Sequence, residues 1–224
     1  MLTTIDQVLS AEQLAFVHSA MESASWIDGS HSAGKYAQGR KANEEMDQSC
    51  SSWSSINQTV VSELYAHAEF QSSVLPSRVS AAFVSRCSPG MYYGIHVDDA
   101  VMGTASGRYR SDVAVTVFLN NPQDYTGGEL RIHSRFGPVS VKGAAGSAVV
   151  YPASSRHEVT PVTDGQRKVC VLWAQSLVRD PAQREILADL DASRRALRLS
   201  APEAQVTETV DHAYMNLVRM WAEV

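Results

Sequence analysis

The feature that most constrains the fold of this chain is a series of short apolar segments between residues 79 and 178, separated by turns that mostly contain glycine. Short strands that follow one another with such turns are typical of a β-sandwich or barrel. The predicted strands lie at 79–86, 112–119, 128–133, 138–142, 147–152, 157–162 and 168–178. The clearest breaks are SPG at 88–90, TGG at 126–128, GAAG at 143–146 and TDG at 163–165.

The segment DVAVTVFL at 112–119 indicates what the two faces of such a sheet contact. Alternate residues of a strand point to opposite sides. One side of this strand carries only aliphatic residues, and the other carries Ala114, Thr116 and Phe118. An inward face that includes a small polar residue is typical of a barrel that holds a ligand.

Helices are predicted at both ends of the chain. Ser10 followed by Gln13 is a capping-box pattern, and apolar residues recur behind it at helical spacing. Asp180-Pro181 is a strong helix start, since it places an acidic N-cap before a proline. Two more helices are predicted near 206–222 and near 54–68, the latter with an apolar face of Ile56, Val60, Leu64 and Tyr65.

We therefore expect a mainly β fold with flanking helices, organised as one domain. In this division, residues 1–78 support the core, 79–178 form it, and 179–224 add C-terminal helices that pack on the same domain.

Composition excludes several classes of protein. The chain has 24 Asp and Glu against 19 Lys and Arg, a formal net charge of −5, which is not the balance of a nucleic-acid-binding protein. It has no run of roughly 20 apolar residues, the length that a membrane span needs. Three widely spaced cysteines, Cys50, Cys87 and Cys170, argue against a disulfide framework. We expect a cytoplasmic protein with neither a nucleic acid nor a membrane as partner.

The candidate metal site begins with His96-Val97-Asp98. On a strand, residues i and i+2 point to the same face, so one imidazole and one carboxylate can share a metal. A later histidine at a strand edge, His157, can supply a third ligand, and two His with one carboxylate form the facial triad of non-haem Fe(II) oxygenases. On spacing alone, a simple hydrogen bond between His96 and Asp98 explains the motif equally well.

Arg167 adds a second kind of ligand to this site. The segment HEVTPVTDGQRKV predicts a strand, a turn and a strand, so that Arg167 returns next to His157. A guanidinium binds a carboxylate with two parallel hydrogen bonds. A metal triad with a neighbouring arginine therefore indicates a chelating keto acid with a distal carboxylate, such as 2-oxoglutarate. The alternative is a surface arginine on a hairpin, beside Lys168.

In several longer stretches of sequence, the chain resembles the PKHD-type hydroxylases, which are bacterial relatives of the prolyl 4-hydroxylase branch of the Fe(II)/2-oxoglutarate dioxygenases. The likeness spans essentially the whole chain, although the N-terminal half, with WIDG at 26–29 and RKAN at 40–43, matches more loosely. The matching stretches are GIHVDDAVMG (94–103), RYRSDVAVTVFLNNPQDYTGGEL (108–130), VVYPASSRHEVTPVTDGQRKVCVLWAQSLVRD (149–180) and AYMNLVRMWAE (213–223).

The resemblance implies a double-stranded β-helix core, of the jelly-roll or cupin-like kind. It implies Fe(II) bound by His96, Asp98 and His157, with Arg167 binding a carboxylate of 2-oxoglutarate. In the wider branch a tyrosine three residues before the first histidine also contacts the keto acid, and Tyr93 holds that position. Thr116 is a further candidate, because its side chain is predicted to point inward. The resemblance also implies O2 as the second co-substrate and L-ascorbate as a reductant.

Two residues bear on the reaction. Halogenating members of the superfamily carry a small residue in place of the metal-binding carboxylate, so Asp98 favours hydroxylation. Asp99 stands where relatives commonly carry Asn, which adds a negative charge beside the metal.

The expected activity is hydroxylation of a C–H bond in a small-molecule or peptide substrate, with release of succinate and CO2. A cupin-like metal enzyme that does not use 2-oxoglutarate, and a non-enzymatic ligand-binding barrel, are the alternatives. A homo-oligomer is left open.

Overall fold

The structure, a computed structural model, describes residues 2–32, 34, 38–105 and 107–224. The helices are α1 (Ala11–Glu22), α2 (Ser51–Ala66), α3 (Ala68–Val74), α4 (Pro181–Ser200) and α5 (Gln205–Trp221). The strands are β1 (Thr3–Ile5), β2 (Trp26–Asp28), β3 (Lys41–Ala42), β4 (Glu44–Met46), β5 (Pro76–Val79), β6 (Phe83–Cys87), β7 (Tyr92–His96), β8 (Val101–Met102), β9 (Tyr109–Arg110), β10 (Val113–Phe118), β11 (Tyr125–Gly127), β12 (Leu130–Ser134), β13 (Gly137–Val141), β14 (Ala148–Pro152), β15 (Arg156–Val159), β16 (Val162–Gly165) and β17 (Arg167–Ser176).

Two antiparallel sheets form the body of the protein. The major sheet has the order β1-β14-β10-β17-β6-β4-β2, with β5 also paired to β17. The minor sheet has the order β13-β12-β15-β7-β3, and two short pairs, β11–β16 and β8–β9, lie beside them. Side chains of both sheets meet in one buried cluster, in which Phe118 and Tyr151 of the major sheet pack with Leu130 and Ile132 of the minor sheet. The sheets therefore face each other, and the predicted mainly β, jelly-roll fold with flanking helices is confirmed.

Strand β10 shows why the major sheet is buried on both sides. Val113, Val115 and Val117 lie on the outer face, in the large cluster that includes residues of α1, α2 and α3. The alternate residues Ala114, Thr116 and Phe118 are also buried and face the minor sheet. The alternation predicted for this segment is confirmed. Each fully buried aliphatic side chain contributes roughly 1.5–3 kcal/mol, so the outer cluster is a major source of stability.

The helix signals act as the sequence indicates. The Ser10 hydroxyl accepts a hydrogen bond from the Gln13 backbone N–H at 3.2 Å, and the Gln13 side chain accepts one from the Ser10 N–H at 2.8 Å. Asp180 accepts from the Ala182 N–H at 2.8 Å and caps α4. The prediction differs from the structure around 65–74: Tyr65 is exposed, and a separate helix, α3, follows after His67.

Two predicted strands are each divided in the structure. The segment 79–86 was expected as one strand, but the chain leaves the sheet at 80–82, between β5 and β6. There the Ala82 N–H donates to Asn57 of α2 at 2.8 Å, and the Trp53 indole donates to the Ala82 carbonyl at 2.9 Å, so helix side chains satisfy the backbone. The segment 157–162 was also expected as one strand. It is divided between β15 and β16, and the predicted TDG turn at 163–165 lies within β16.

The C-terminal helices α4 and α5 pack against each other, and α4 also packs against α3. Leu187 of α4 and Tyr214 of α5 are buried together with Val178, which lies two residues after the end of β17.

Within the described part of the chain, no helix combines the length and apolar character needed to cross a bilayer.

Candidate active site

Three side chains that could bind a metal converge in the interior, beside neighbouring strands of the minor sheet. His96 is the last residue of β7, and His157 lies opposite it in β15. Asp98 follows β7 by two residues, and its Oδ1 atom lies 3.8 Å from His96 Nε2 and 3.7 Å from His157 Nε2. One ligand atom from each residue lies within 4.8 Å of the other two. The structure thus brings the predicted residues together. The expectation that Asp98 lies on the strand was wrong, because β7 ends at His96.

Backbone hydrogen bonds orient both imidazoles. His96 Nδ1 lies 2.8 Å from the Gly94 carbonyl oxygen, and His157 Nδ1 lies 3.0 Å from that of Ser155. A carbonyl only accepts, so each Nδ1 carries the proton and donates it. Each Nε2 is then left with a lone pair that points toward Asp98. This is the tautomer and orientation that metal-binding histidines require.

The electrostatics of the cluster are unfavourable without a cation. Burial, followed by the neighbouring His157, lowers the pKa of His96 to about 3, so this ring is neutral at pH 7. Burial raises the pKa of Asp98, and its Oδ2 atom has no hydrogen-bond partner among the described residues. A buried carboxylate without a partner is costly, and a divalent ion offsets that cost. The donor set and the unpartnered oxygen therefore fit a metal ion.

Aromatic side chains hold the two imidazoles in place. The Tyr93 ring stacks on His96, with ring centroids 3.6 Å apart and planes 16° apart. The Tyr151 ring contacts His157 edge-on at 5.1 Å. Burial and the nearby Asp98 carboxylate raise the pKa of Tyr93, so its hydroxyl stays protonated and can donate. Tyr93 thus lies at the site, as predicted.

Arg167 reaches the interior from the major sheet and is 3% exposed. The predicted hairpin that would return it next to His157 was wrong, because β15 pairs in the minor sheet whereas β17 pairs with β6 and β10 in the major sheet. The alternative of a surface arginine is also wrong. Arg167 Nε and the Tyr125 hydroxyl are both buried and lack hydrogen-bond partners in the part of the chain described. Two unpartnered polar groups of this kind fit a binding site for an anion.

A glycine turn gives these two side chains their room. Gly127 and Gly128 have φ angles of +73° and +66°, a region that favours glycine. A Cβ atom on Gly128 would lie 3.1 Å from both Arg167 Cδ and Tyr125 Cε2. The Tyr125 ring is also covered by the Lys142 ammonium, 4.0 Å from its centroid, and Lys142 donates to the Tyr125 carbonyl at 2.6 Å.

The remaining candidates take other positions. Thr116 is 2% exposed and lies on the inner face, where its hydroxyl is close to that of Tyr151. His133 and Glu158, two further side chains of types that can bind a metal, pair with each other at 3.2 Å, and both lie outside the three-residue cluster. Asp99 is exposed, and its backbone carbonyl accepts a hydrogen bond from Ser111.

Several residues of the site were not predicted. Trp173 is on the same side of β17 as Arg167 and close to Asp98, and the alternation of KVCVLW could have placed it there. Tyr151 likewise alternates with the buried Val149 in β14. Tyr125 had no comparable signal, because its position depends on the pairing of β11 with β16, which lies 35 or more residues further along the chain.

Comparison with known proteins agrees with this geometry. Residues 82–175 match the family model described as the 2OG-Fe(II) oxygenase superfamily. A PKHD-type hydroxylase of Thioalkalivibrio sulfidiphilus is 50% identical over 224 residues, which is 100% of each chain. A solved Pseudomonas putida prolyl-4-hydroxylase has a TM-score of 0.53 at 17% identity, covering 78% of this chain and 92% of its own. A Trichoplax adhaerens prolyl hydroxylase, solved with a hypoxia inducible factor peptide fragment, has a TM-score of 0.52 at 17% identity, covering 83% and 86%.

A jelly-roll core with a His-Asp-His cluster between its sheets is the architecture of the Fe(II)- and 2-oxoglutarate-dependent oxygenases. The protein is therefore an oxidoreductase that uses Fe(II), 2-oxoglutarate and O2. Given the identity over the full length, the chain belongs to the PKHD-type hydroxylases. The alternatives of a cupin-like enzyme without 2-oxoglutarate and of a non-enzymatic barrel are thereby set aside.

Proposed function

We propose that His96, Asp98 and His157 hold the Fe(II) of this hydroxylase and that Arg167 anchors the distal carboxylate of 2-oxoglutarate. The observation that carries the proposal is the convergence of three buried ligand atoms within 4.8 Å of one another, inside a barrel whose opposite sheet carries a buried arginine. Bound Fe(II) and 2-oxoglutarate supply the activation of O2 that hydroxylates a C–H bond and releases succinate and CO2.

The protein contributes orientation and charge. The carbonyls of Gly94 and Ser155 hold the Nδ1 protons of the two histidines, so both Nε2 atoms are available as ligands. The Asp98 carboxylate supplies a negative charge that a cation neutralises. Three protein ligands would leave positions on a bound Fe(II) free for a chelating keto acid and O2, as the facial triad of non-haem Fe(II) oxygenases does. A carboxylate in place at Asp98 supports hydroxylation rather than halogenation.

Arg167 and its neighbours supply the second anchor. A guanidinium can give two parallel hydrogen bonds to one carboxylate. The unpartnered Arg167 Nε and Tyr125 hydroxyl lie where β17 and β11 approach Gly128, so both are available to the same anion. Tyr93, stacked on His96, is positioned to donate its hydroxyl to the metal-bound end of the keto acid. Thr116 supports Tyr151 on the same inner face.

The substrate is proposed to be a peptide or a small molecule that carries the reacting C–H bond. The structurally similar Trichoplax prolyl hydroxylase was solved with a peptide fragment, which supports a peptide as the first class to test. The residues that rim the site include exposed apolar side chains, Val97 and Val101, beside the exposed Asp99. Succinate release with and without candidate peptides, at fixed Fe(II), O2 and 2-oxoglutarate, measures the coupling of each candidate to turnover.

The ligand assignment is tested by anaerobic reconstitution with Fe(II). His96→Ala and His157→Ala should each lose tight metal binding, because two remaining ligands hold a labile divalent ion poorly. His133→Ala is the matched control, since His133 pairs with Glu158 and lies outside the cluster. It should load iron like the wild type. Wild-type iron content in His96→Ala or His157→Ala, with an unchanged circular dichroism spectrum, would reject the assignment.

We also propose the cytoplasm as the location. The described chain has three free cysteines, Cys50, Cys87 and Cys170, which suits a reducing compartment. Cell fractionation of the tagged full chain tests this, and recovery in an extracytoplasmic fraction would contradict it.

A further inference from the structure

A buried ion pair lies beside β7, the strand that carries His96, at the corner where the chain passes from β3 to β4. Lys41 and Ala42 form β3, the edge strand of the minor sheet, and pair with Tyr93 and Tyr92 of β7. Glu44–Met46 forms β4, which belongs to the major sheet and pairs with β6. The chain therefore crosses from one sheet to the other at Asn43, whose side chain donates to Ser85 Oγ of β6 at 2.7 Å.

The ion pair spans this corner. Lys41 Nζ lies 2.5 Å from Glu45 Oε1, and the two side chains are only 9% and 7% exposed. Lys41 also donates to the Ser32 hydroxyl at 2.6 Å. Glu45 is opposite Ser85, which is opposite Val169 of the interior cluster, so Glu45 faces the inside of the barrel. Removing two charges from water is costly, and an apolar pair of similar size would serve stability equally well.

The ammonium end of Lys41 has a second contact. Lys41 Nζ lies 5.2 Å from the centroid of the Tyr93 ring, within the range of a cation–π interaction. The Tyr93 ring is in turn stacked on His96 at 3.6 Å. Three side chains from two paired strands thus form a continuous series: a cation, an aromatic ring and an imidazole. Glu45 fixes the cation at the start of this series.

We propose that Lys41, held by Glu45, is a positioning residue for the metal site. It orients the Tyr93 ring, which in turn fixes the plane of the His96 imidazole. The proposal rests on the proposed function, in which His96 is a metal ligand. Residues behind a metal ligand typically contribute 10–100-fold to metal affinity, so loss of this support should weaken metal binding by roughly tenfold.

The neighbouring ion pair provides a matched control. Glu44 precedes Glu45 in β4 and points to the opposite face of the sheet, where Arg86 donates to it at 2.7 and 3.1 Å. This pair is more exposed, at 32% and 27%, and Arg86 lies over Trp26 rather than over a residue of the site. An ion pair that includes a glutamate of β4 can therefore be neutralised on either face of that strand.

The test is a titration of the apoprotein with Co(II), followed by its visible ligand-field spectrum. Lys41→Met with Glu45→Gln should remain folded, bind Co(II) roughly tenfold more weakly and show a shifted spectrum. Arg86→Met with Glu44→Gln should match the wild type in affinity and spectrum. In a Tyr93→Leu background, the Lys41/Glu45 replacement should have no further effect, because the intermediate ring is gone.

A charge exchange separates positioning from simple support of the fold. Lys41→Glu with Glu45→Lys keeps an ion pair across the corner but places a carboxylate over the Tyr93 ring. It should recover thermal stability relative to Lys41→Glu alone and should not recover Co(II) affinity. Wild-type affinity in the folded Lys41→Met/Glu45→Gln variant, or recovery of both properties in the exchanged variant, would overturn the proposal. If His157→Ala still binds Co(II) like the wild type, the proposed metal site itself fails, which is a distinct result.

Discussion

Arg167 and Tyr125 lie next to each other inside the barrel, and each leaves a buried polar atom without a hydrogen-bond partner in the described chain. Arg167 comes from β17 of the major sheet, and Tyr125 from the short β11–β16 pair. Native proteins rarely leave such atoms unsatisfied, so the pair indicates where an anion binds. Both side chains, and the glycine turn that accommodates them, can be tested by substitution.

Arg167→Ala should weaken 2-oxoglutarate binding by about 2–5 kcal/mol, the usual cost of leaving a desolvated charge without its partner. That corresponds to roughly 30-fold to several thousand-fold in affinity. Arg167→Lys should recover only part of the loss, because a point charge does not replace the forked contact. Anaerobic titration of the Fe(II) protein, followed by its metal-to-ligand charge-transfer band, measures the affinity. Equal affinity in the wild type and in Arg167→Ala would exclude Arg167 as the anchor, and Lys168 would be tested next.

Tyr125→Phe should weaken 2-oxoglutarate binding by roughly tenfold to 100-fold, because a hydrogen bond to a charged group is worth about 1.5–3 kcal/mol. The matched ligand is 2-oxopentanoate, which has the same chain length but no distal carboxylate. Its affinity should be the same in both proteins. If Tyr125→Phe weakens both ligands equally, the hydroxyl does not contact the distal carboxylate.

Gly128→Ala should lower both thermal stability and 2-oxoglutarate affinity. Its φ of +66° costs an alanine about 1–2 kcal/mol, and the added Cβ would lie 3.1 Å from Arg167 and Tyr125 side-chain atoms. Gly90→Ala is the control, because Gly90 has a φ of +87° and a Cβ added there would meet no atom within 4 Å. It should lose stability but keep the affinity. Calorimetry of both variants, with and without the keto acid, separates the two effects. Unchanged affinity in a folded Gly128→Ala would show that the turn is not part of the anchor.

Asp98→Ala and Asp98→Asn should both abolish hydroxylation. They should also weaken Fe(II) binding by more than roughly 10–100-fold, which is the usual loss when a residue hydrogen-bonded to a metal ligand is replaced. Asparagine keeps the shape of the side chain but removes its negative charge, which an imidazole ligand does not provide. Added chloride or azide should have access to the iron in Asp98→Ala. Asp99→Ala is the control and should retain activity, since Asp99 is exposed. Full activity in Asp98→Ala with an inactive Asp99→Ala would place the motif one residue out of register.

Cys170 should resist alkylation in the native protein up to strongly alkaline pH, and Cys87 should react more slowly than an exposed thiol. Burial raises the pKa of Cys170 to about 12, and burial also raises that of Cys87. The thiolate is the reactive form of cysteine, and it is scarce at any pH well below the pKa of the thiol. Labelling with iodoacetamide at pH 8, followed by mass spectrometry, should modify Cys50 ahead of the other two, because Cys50 is only half-buried. Labelling of Cys170 at the rate seen in denatured chain would contradict its burial.

The sequence predicted those features of the fold that depend on residues close together in the chain, namely the starts of two helices and the two faces of a strand. The Ser10–Gln13 capping box and the Asp180 cap act within one helical turn, and the two faces of β10 follow from strand geometry alone. The break at 80–82 could not be predicted in this way. Its hydrogen bonds go to Asn57 and Trp53 of α2, some 25 residues earlier.

The residues of the His-Asp-His cluster were predictable from the sequence, and the geometry around them was not. His96, Asp98 and His157 were selected by residue type and spacing, whereas the sheet to which each strand belongs depends on long-range pairing. The expected hairpin between His157 and Arg167 failed for that reason, because β16 pairs with β11 and diverts the chain to the other sheet. Lys41 and Tyr125 lie within stretches that match the family, at 40–43 and 108–130, but no local signal marked either of them as part of the site, because their contacts depend on neighbours that only the folded chain supplies.

The separation of His157 and Arg167 onto facing sheets has a mechanical consequence. In the proposed arrangement, a keto acid bound by the metal at one end and by the Arg167 guanidinium at the other would connect the two layers of the jelly roll. The co-substrate would then be a ligand that connects the two sheets, as well as a reactant. Because succinate is one carbon shorter than 2-oxoglutarate, the product would span the two binding groups less well, and the connection between the layers would weaken as the product leaves.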